Sequence, residues 1–318
     1  MVPFLASFVV CLTLTGLLIP ALRRAQFMDV PNHRSSHTAP VPRGGGVAVV
    51  LTLNAVVLGF GRQGDAWMMV LVAMLVMAGV GLADDLWSLG STVRLLLQLA
   101  AGVALAAWAV WAGVSLWWAP VLVVVVAGYI NAFNFMDGVN GISGLTIAVV
   151  GGWWWLVGTA SDLTFVPVVG AALLGASLGF LPWNAPKAKV FLGDVGSYGI
   201  GLVVVALSVV AWVGGVDVWM AVAPLTVYCV DTGWVLLKRW RGGRSLTEAH
   251  REHVYQRLTD GGWPHLASAA FCAATGAAVC AASMLADSQP LLALAVAGLA
   301  LTVYLGAPSV LARKEVVR

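Results

Sequence analysis

The chain alternates long apolar runs with short polar stretches along its whole length, and the length of the runs decides the reading. Apolar stretches of about 17 to 22 residues, long enough to cross a bilayer as a helix, recur about eleven times. They lie at roughly 3–22, 46–61, 66–83, 95–112, 117–134, 141–159, 164–182, 198–214, 216–237, 266–286 and 290–311. The pattern predicts an all-α fold, a polytopic transmembrane helix bundle of about eleven spans forming one integral membrane domain over residues 1–318. Between 112 and 117, Gly113 and Ser115 are almost the only punctuation separating two spans. The first run has no basic residue before it and is followed by Arg23 and Arg24. That suits an anchor with its N-terminus outside rather than a cleavable signal peptide.

Charge orients the bundle. With about eleven spans the connections alternate sides, and of the 17 Lys and Arg residues Arg62 alone falls on one side. The other side is cytoplasmic by the positive-inside rule, and it also receives the C-terminus and all 5 histidines. The cytoplasmic segments are then 23–46, 84–94, 131–141, 183–197 and 238–265, and the chemistry is expected to face the cytoplasm. Composition agrees: 60% of residues are hydrophobic and 10% charged, with a mean hydropathy of +0.92. These values exclude a soluble domain or a disordered chain. Cys11, Cys229, Cys272 and Cys280 all lie in apolar runs without CxxC spacing, so they read as small core residues rather than a disulfide framework or zinc site. A lipid bilayer is the expected surroundings, and no nucleic-acid partner is expected.

The polar stretches carry the candidate chemistry. NAFNFMDGVNG, residues 131–141, places Asn131, Asn134, Asp137 and Asn140 at three-residue intervals at the end of a span. Each interval turns about 300° around a helix, so the four drift slowly around one face. Hydrocarbon leaves such groups unsatisfied, so they face protein, water, metal or ligand. Interhelical hydrogen bonding with a Gly-rich turn is the simpler alternative. Asp84 and Asp85, in GLADDLWSLG, are adjacent acids at a span end, which suggests a bound cation, a proton to be moved, or a solvated acidic helix end. Asp194, in FLGDVGS, sits beside Gly193 near Gly196, so the backbone can turn sharply and present one carboxylate.

Basic groups flank these acids. DVPNHRSSHTAPVPRGGG, residues 29–46, presents Asn32, His33, Arg34, Ser35, His37 and Arg43 and runs into a helix start. Free N–H groups and guanidinium donors there suit an anion, although an ordinary basic cytoplasmic loop reads the same way. Lys187 and Lys189 precede FLGDVGS. In KRWRGGRSLTEAHREHVYQRLTDGGWP, residues 238–264, a helix-favouring run puts His250 and His253 on one face with Arg251 between them. Contacts to phosphate or sugar are favoured over metal ligation, since no third ligand occurs at helical spacing. Asp231 lies inside an apolar run, either as a functional acid or as a helix-packing partner. Carboxylates with amides suggest Mg²⁺, with Mn²⁺ as the alternative ion, and the basic groups suggest phosphates bridged by it. The expected chemistry is phosphoryl transfer, with a lipid among the substrates because the site lies at the mouth of a helix bundle.

Five stretches in order, DVPNHRSSHTAPVPRGGG, ADDL, NAFNFMDGVNG, FLGDVGS and PLTVYCVD followed by HREHVYQRL, resemble the polyprenyl-phosphate N-acetylhexosamine-1-phosphate transferases (glycosyl transferase family 4). The resemblance spans residues 29 to 258. It implies transfer of a sugar 1-phosphate from a UDP-N-acetyl sugar to undecaprenyl phosphate, with Mg²⁺ and release of UMP, in a bacterial cytoplasmic (inner) membrane. It implies Asp194 as principal metal ligand with Asn134 beside it, and Asp84 or Asp85 as the group that orients or deprotonates the lipid phosphate. Asp84, Asp85 and Asp137 are accordingly the expected catalytic carboxylates. Arg43, Asn131, Asn140, Lys187, His250, Arg251 and His253 are the expected substrate-binding residues. Ser88 stands where many relatives have a third acid or amide, Asn140 where many bacterial members have Asp, and HREH where the muramoyl-pentapeptide enzymes have three histidines. These departures point away from the peptidoglycan enzyme and toward the O-antigen or exopolysaccharide branch. The sugar is not readable from the chain, and a homodimer stands as the alternative to a monomer.

Two rival readings remain at this stage: a transporter or lipid flippase using the same acids as a proton relay, and a non-catalytic membrane scaffold. Transporters gather polar groups near the midplane between repeated halves, whereas here they gather at one face with no internal repeat. The orientation is checked by cysteine labelling in intact cells. Cysteines at Ser36 and Ser245 are expected to be protected from impermeant reagents, and one at Gln63 to label.

Overall fold

The computed structural model describes residues 1–31, 39–62, 64–246, 248 and 250–316, with side chains up to Val310. His33, Arg34 and His37 lie outside the described residues. The chain folds as an all-α bundle in which, among the described residues, ten helical stretches are long and apolar enough to cross a membrane, two of them (Leu116–Met136 and Val218–Arg241) including a 3₁₀ turn. In order the helices are α1 (Val2–Arg24), α2 (Gly46–Phe60), α3 (Ala66–Trp87), α4 (Ser91–Trp111), α5 (Ala119–Met136), α6 (Ile142–Ala160) and α7 (Val166–Asn184). They continue with α8 (Gly193–Val213), α9 (Val218–Val222), α10 (Thr226–Arg241), α11 (Val254–Asp260), α12 (His265–Ser283) and α13 (Pro290–Val316). The α2 helix, at 15 residues, is about 22 Å long against a hydrocarbon core of about 30 Å. It therefore stands apart from the ten, where the sequence pattern counts eleven comparable runs.

Local sequence explains most boundaries. Pro3, Pro120 and Pro167 stand in the first turns of α1, α5 and α7, where a missing N–H costs nothing. Gly113, at φ +104, makes the turn that separates α4 from α5. Pro224 breaks the apolar run after residue 216 into α9, a 3₁₀ turn and α10. Lacking an N–H, Pro224 cannot serve the carbonyl of Met220 four residues back, and the indole N–H of Trp153 donates to that carbonyl instead at 3.1 Å. The cysteines are all unpaired, and Cys11, Cys272 and Cys280 are buried as the sequence suggests. Cys229 instead faces outward.

At the centre runs α8, buried on nearly all sides. It packs against α2, α3 and α5, and the closest crossings are built on glycine. A methyl group on Gly81 of α3 would lie 2.0 Å from the carbonyl oxygen of Asp194, and one on Gly46 of α2 would lie 2.3 Å from the α-carbon of Gly196. Around this centre, α1 and α6 pack on α7, and α4 packs on α5. The outermost helix, α13, has few buried residues, Tyr304 among them.

Ahead of α2, two two-residue strands pair antiparallel, Met28 opposite Pro42 and Asp29 opposite Val41. The Phe191 N–H donates to Pro42 O at 2.8 Å, extending the pairing to the segment before α8. The N–H groups of Gly45 and Gly46 then donate to the carbonyls of Phe191 (2.8 Å) and Leu192 (2.7 Å). The sequence suggests that this Gly-rich helix start offers free amides to an anion. Those two amides are instead spent on the chain, because the glycines are what lets α2 lie against α8.

Overpacking a crossing of this kind costs about 1–3 kcal/mol or more. Gly81→Ala is therefore expected to lower the thermal unfolding midpoint in detergent. Gly79→Ala, two residues away with nothing within 4 Å, is expected to leave it unchanged or raise it, by up to about 1 kcal/mol of helix propensity.

Candidate active site

The acidic stretches meet at the first turn of α8. Because α3 continues to Trp87, Asp84 and Asp85 occupy its last turn and are nearly buried. The helix ends at Ser88, which takes a left-handed conformation (φ 50) and donates its N–H to Asp84 O at 2.9 Å. The chain then reverses into α4, and that reversal brings Arg94 back over the pair. Asp84 Oδ2 accepts from Arg94 Nη1 (3.1 Å) and from Tyr198 Oη (2.8 Å), while Oδ1 accepts from the Leu89 N–H (2.8 Å). Asp85 Oδ2 accepts from the Val195 N–H at 3.1 Å, and Asp85 Oδ1 lies 3.7 Å from Arg43 Nη1. Arg43 also donates to the Asp85 carbonyl and stacks over the Phe27 ring. Each acid of the adjacent pair thus has its own arginine, delivered from a different element.

Asp194 sits in the first turn of α8, inside the helix rather than in the preceding loop. Gly193, at φ +76, makes the bend that aims it. Asn134, in the last turn of α5, donates from Nδ2 to Asp194 Oδ1 (2.7 Å) and to Ser197 Oγ (2.9 Å). The α5 helix stops at Met136, leaving Asp137 as its cap and Asn140 in the turn before α6. Asp137 Oδ1 accepts from Ser143 Oγ at 2.6 Å. Burial pushes the Asp137 carboxyl up to about 6, against the pull of the Ser143 hydroxyl, and the charge of Asp85 adds to the rise.

The other members of the polar ladder have partners in the protein. Asn131 donates to Gln98 of α4 and to Ala127 O, the interhelical bond that the sequence leaves as its simpler alternative. Asn140 Nδ2 donates to Pro186 O at 3.0 Å, holding the α5–α6 turn to the segment after α7. Lys187 is exposed, and Lys189 lies over the Trp183 ring at 4.9 Å.

HREH lies beside this turn, but not as a helix. His253 is the N-cap of α11 in a capping box with Gln256, so the chain before it is extended and the helix begins at Val254. The His250 and His253 rings nevertheless approach, with centroids 5.2 Å apart. Burial lowers the His250 pKa, and His253 and Arg239 lower it further. Arg251 pairs with Asp260 at 2.6 Å. Glu252 bridges Arg239 (2.6 Å) and Arg244 (3.0 Å). Burial would raise its pKa, but the Arg239 hydrogen bond and the Arg244 charge hold it below the usual carboxylate range. Tyr255 Oη donates to Phe135 O at 2.9 Å, where a methyl group on Gly138 would lie 2.1 Å from it, so α11 is wedged under the end of α5.

The structure thus gathers Asp84, Asp85, Asn134 and Asp194, with Arg43 on Asp85, and sets Asp137 and His253 at the adjoining turn. It adds residues the sequence reading passed over. Ser197 and Tyr198 stand three and four positions after Asp194, a helical spacing that puts them on its face, and Ser143 follows Asp137 by six. Among the described residues no group of three or more His, Cys, Asp and Glu side chains is arranged to hold a metal ion. The donors at hand are oxygens: the partly exposed Asp194 carboxylate, the Asn134 amide and the Ser197 hydroxyl.

A family model described as glycosyl transferase family 4 matches residues 67–212. The decaprenyl-phosphate N-acetylglucosaminephosphotransferase of Mycobacterium leprae (strain TN) is 30% identical over 79% of this chain and 74% of its own. The undecaprenyl-phosphate alpha-N-acetylglucosaminyl 1-phosphate transferase of Thermotoga maritima is 33% identical, covering 77% of this chain and 78% of its own. The phospho-N-acetylmuramoyl-pentapeptide-transferase of Synechococcus sp. is 29% identical over 82% and 85%.

Asp84 gives a direct check of the geometry. Tyr198→Phe removes one of its donors inside the bundle and is expected to cost about 1–2 kcal/mol in thermal unfolding. A variant as stable as the parent would detach Tyr198 from Asp84.

Proposed function

The chain belongs to glycosyl transferase family 4, and from that premise we propose that it transfers a sugar 1-phosphate from a UDP-N-acetylhexosamine to undecaprenyl phosphate, releasing UMP. This is the first membrane step of a surface polysaccharide, of O-antigen or exopolysaccharide type. N-acetylglucosamine is the sugar we assign, following the names of relatives such as those from Mycobacterium leprae and Thermotoga maritima. The one-sided distribution of Lys and Arg supports a site facing the cytoplasm from a bacterial inner membrane. The observation that carries the reading is the convergence of Asp84, Asp85, Asn134 and Asp194 from three helices on one point. A transporter would need its polar groups between repeated halves near the midplane, and its name appears on none of these relatives.

Mg²⁺ fits the donors present. It is held by one or two carboxylates together with water and substrate phosphates rather than by a full protein cage. Asp194, with Asn134 and Ser197 beside it, offers that kind of half-site. The neighbourhood also carries four carboxylates (Asp84, Asp85, Asp137, Asp194) against two paired guanidiniums (Arg43, Arg94), a deficit that a divalent cation offsets. When bound, the ion would neutralise charge on the pyrophosphate and on the departing UMP.

The protein's own share is positioning. Asp84 has all its near donors in place and serves to hold Arg94 and the α3 end, with the arginine supplying positive charge. Asp85 does the same for Arg43 and fixes the start of α8. The lipid phosphate brings its own oxygen nucleophile, and we assign direct attack. A new P–O bond forms at the sugar-bearing phosphorus, the P–O bond to UMP breaks, and no covalent enzyme intermediate intervenes. Asn140, Lys187, His250, Arg251 and His253 border the side from which the UDP-sugar would enter.

The test is UMP release by purified protein with Mg²⁺, undecaprenyl phosphate and a panel of UDP-N-acetyl sugars. Asp194→Asn preserves size and is expected to lower turnover about a hundredfold or more, roughly 3 kcal/mol, without loss of fold. Asn134→Ala is expected to cost less, and chelation of the metal to abolish turnover. Near-normal UMP release by folded Asp194→Asn would remove it as principal ligand.

A further inference from the structure

Asp231 is fully buried in α10, where an unpaired carboxylate is strongly disfavoured. Donors surround it. Oδ2 accepts from Tyr304 Oη at 2.8 Å and from the Val254 N–H at 3.1 Å, and Oδ1 lies 3.0 Å from His253 Nδ1. A carboxylate accepting from a backbone N–H and a phenol is set to accept from the imidazole too, which places the ring proton on Nδ1. The ring plane is also fixed, since it stacks on Tyr255 with the planes 9° apart and centroids at 5.9 Å.

What this clamp holds is a nitrogen with nothing to bond. His253 is 2% exposed, and its Nε2 is buried without a partner among the described residues. The large majority of buried side-chain polar atoms in folded proteins find a partner. The adjacent His250 ring has a second such nitrogen, Nδ1. The Phe135 ring, next in sequence to Asn134, lies 6.3 Å from His253. The His253 ring is therefore held beside the end of α5, the helix that carries Asn134 and is capped by Asp137.

We propose that Asp231 and Tyr304 are positioning residues that hold His253 with its proton on Nδ1, so that Nε2 accepts a hydrogen bond from an O–H or N–H group of the UDP-sugar. This rests on the transferase reading. The donors such a substrate offers are the uracil N–H, the ribose hydroxyls, the hydroxyls of the N-acetylhexosamine and its acetamido N–H. Phosphate oxygens without a proton cannot supply one, so His253 reads the base or the sugar and not the pyrophosphate. Tyr304 gives the peripheral α13 a part in the site, although it lies outside the residues 67–212 that the family model matches.

The experiment measures the Kd of UMP and of UDP-N-acetylglucosamine by calorimetry on the full chain, with the KM for undecaprenyl phosphate alongside. Asp231→Asn turns an amide N–H toward Nδ1, moves the ring proton to Nε2 and sets donor against donor. The UDP-sugar Kd is expected to rise about tenfold or more, the cost of one lost hydrogen bond, with the lipid KM unchanged. Tyr304→Phe, which keeps the carboxylate, is expected to raise the Kd about two- to fivefold. On a His253→Ala background neither change weakens binding further. Equal losses for UMP and the UDP-sugar assign the donor to the uridine, its uracil N–H or ribose hydroxyls, and a loss confined to the UDP-sugar assigns it to the N-acetylhexosamine. Unchanged affinity in both variants overturns the proposal, as do losses that add fully to that of His253→Ala. Binding of UDP-N-acetylglucosamine by the parent without UMP release removes the transferase reading and leaves the Kd comparison to decide this one.

Discussion

Two backbone-to-backbone contacts, Gly81 on the Asp194 carbonyl and Gly46 on Gly196, set the distances on which the site depends. Helices in a bilayer gain no hydrophobic drive from one another, so close approach through small residues supplies much of their association. Here that approach also aligns chemistry. With no side chain at residue 81, the last turn of α3 lies against the first turn of α8, and Asp85 can take the Val195 N–H. With none at residue 46, α2 reaches the same turn and Arg43 arrives beside Asp85. The acids are close because the backbones are close.

A second consequence is electrostatic. Carboxylates gathered in a partly dry place repel one another and resist ionisation, so each needs a donor from elsewhere. The chain supplies them from separate elements: Arg94 and Tyr198 to Asp84, Arg43 to Asp85, Asn134 to Asp194, Ser143 to Asp137. This spreads responsibility for the site over α3, α4, α5, α6, α8 and the segment before α2. No single helix carries enough of the site to hold the arrangement alone.

The sequence shows the spans clearly because hydrocarbon thickness imposes a length that composition cannot hide. It also shows that Asp84, Asp85, Asn134 and Asp194 belong together, since acids and amides at span ends have few ways to be satisfied. It hides the partners. Arg94 and Gln98 sit in an ordinary apolar helix, and nothing local tells that one meets Asp84 and the other Asn131. The triple glycine before α2 resembles an anion-binding helix start because free amides and close packing call for the same residue. HREH reads as helix from propensity, yet His253 caps the N-terminus of α11, so the helix begins only after the motif. Asp231 is marked in the sequence by its place inside an apolar run, but its partner Tyr304 is not, as their bond joins residues 73 positions apart.

Trp153 and Pro224 illustrate how a hydropathy plot can mislead a protein engineer. By composition Trp153 is one of many tryptophans in a greasy chain, and the obvious stabilising edits for detergent work would treat it as interchangeable with phenylalanine. Its indole N–H, however, stands in for the one that Pro224 removes from α9. A phenylalanine of similar shape would leave the Met220 carbonyl without that donor. The exposed Trp111 and Trp117 can be traded for solubility, but Trp153 and Pro224 form one inherited unit, and a library that varies either has to vary both.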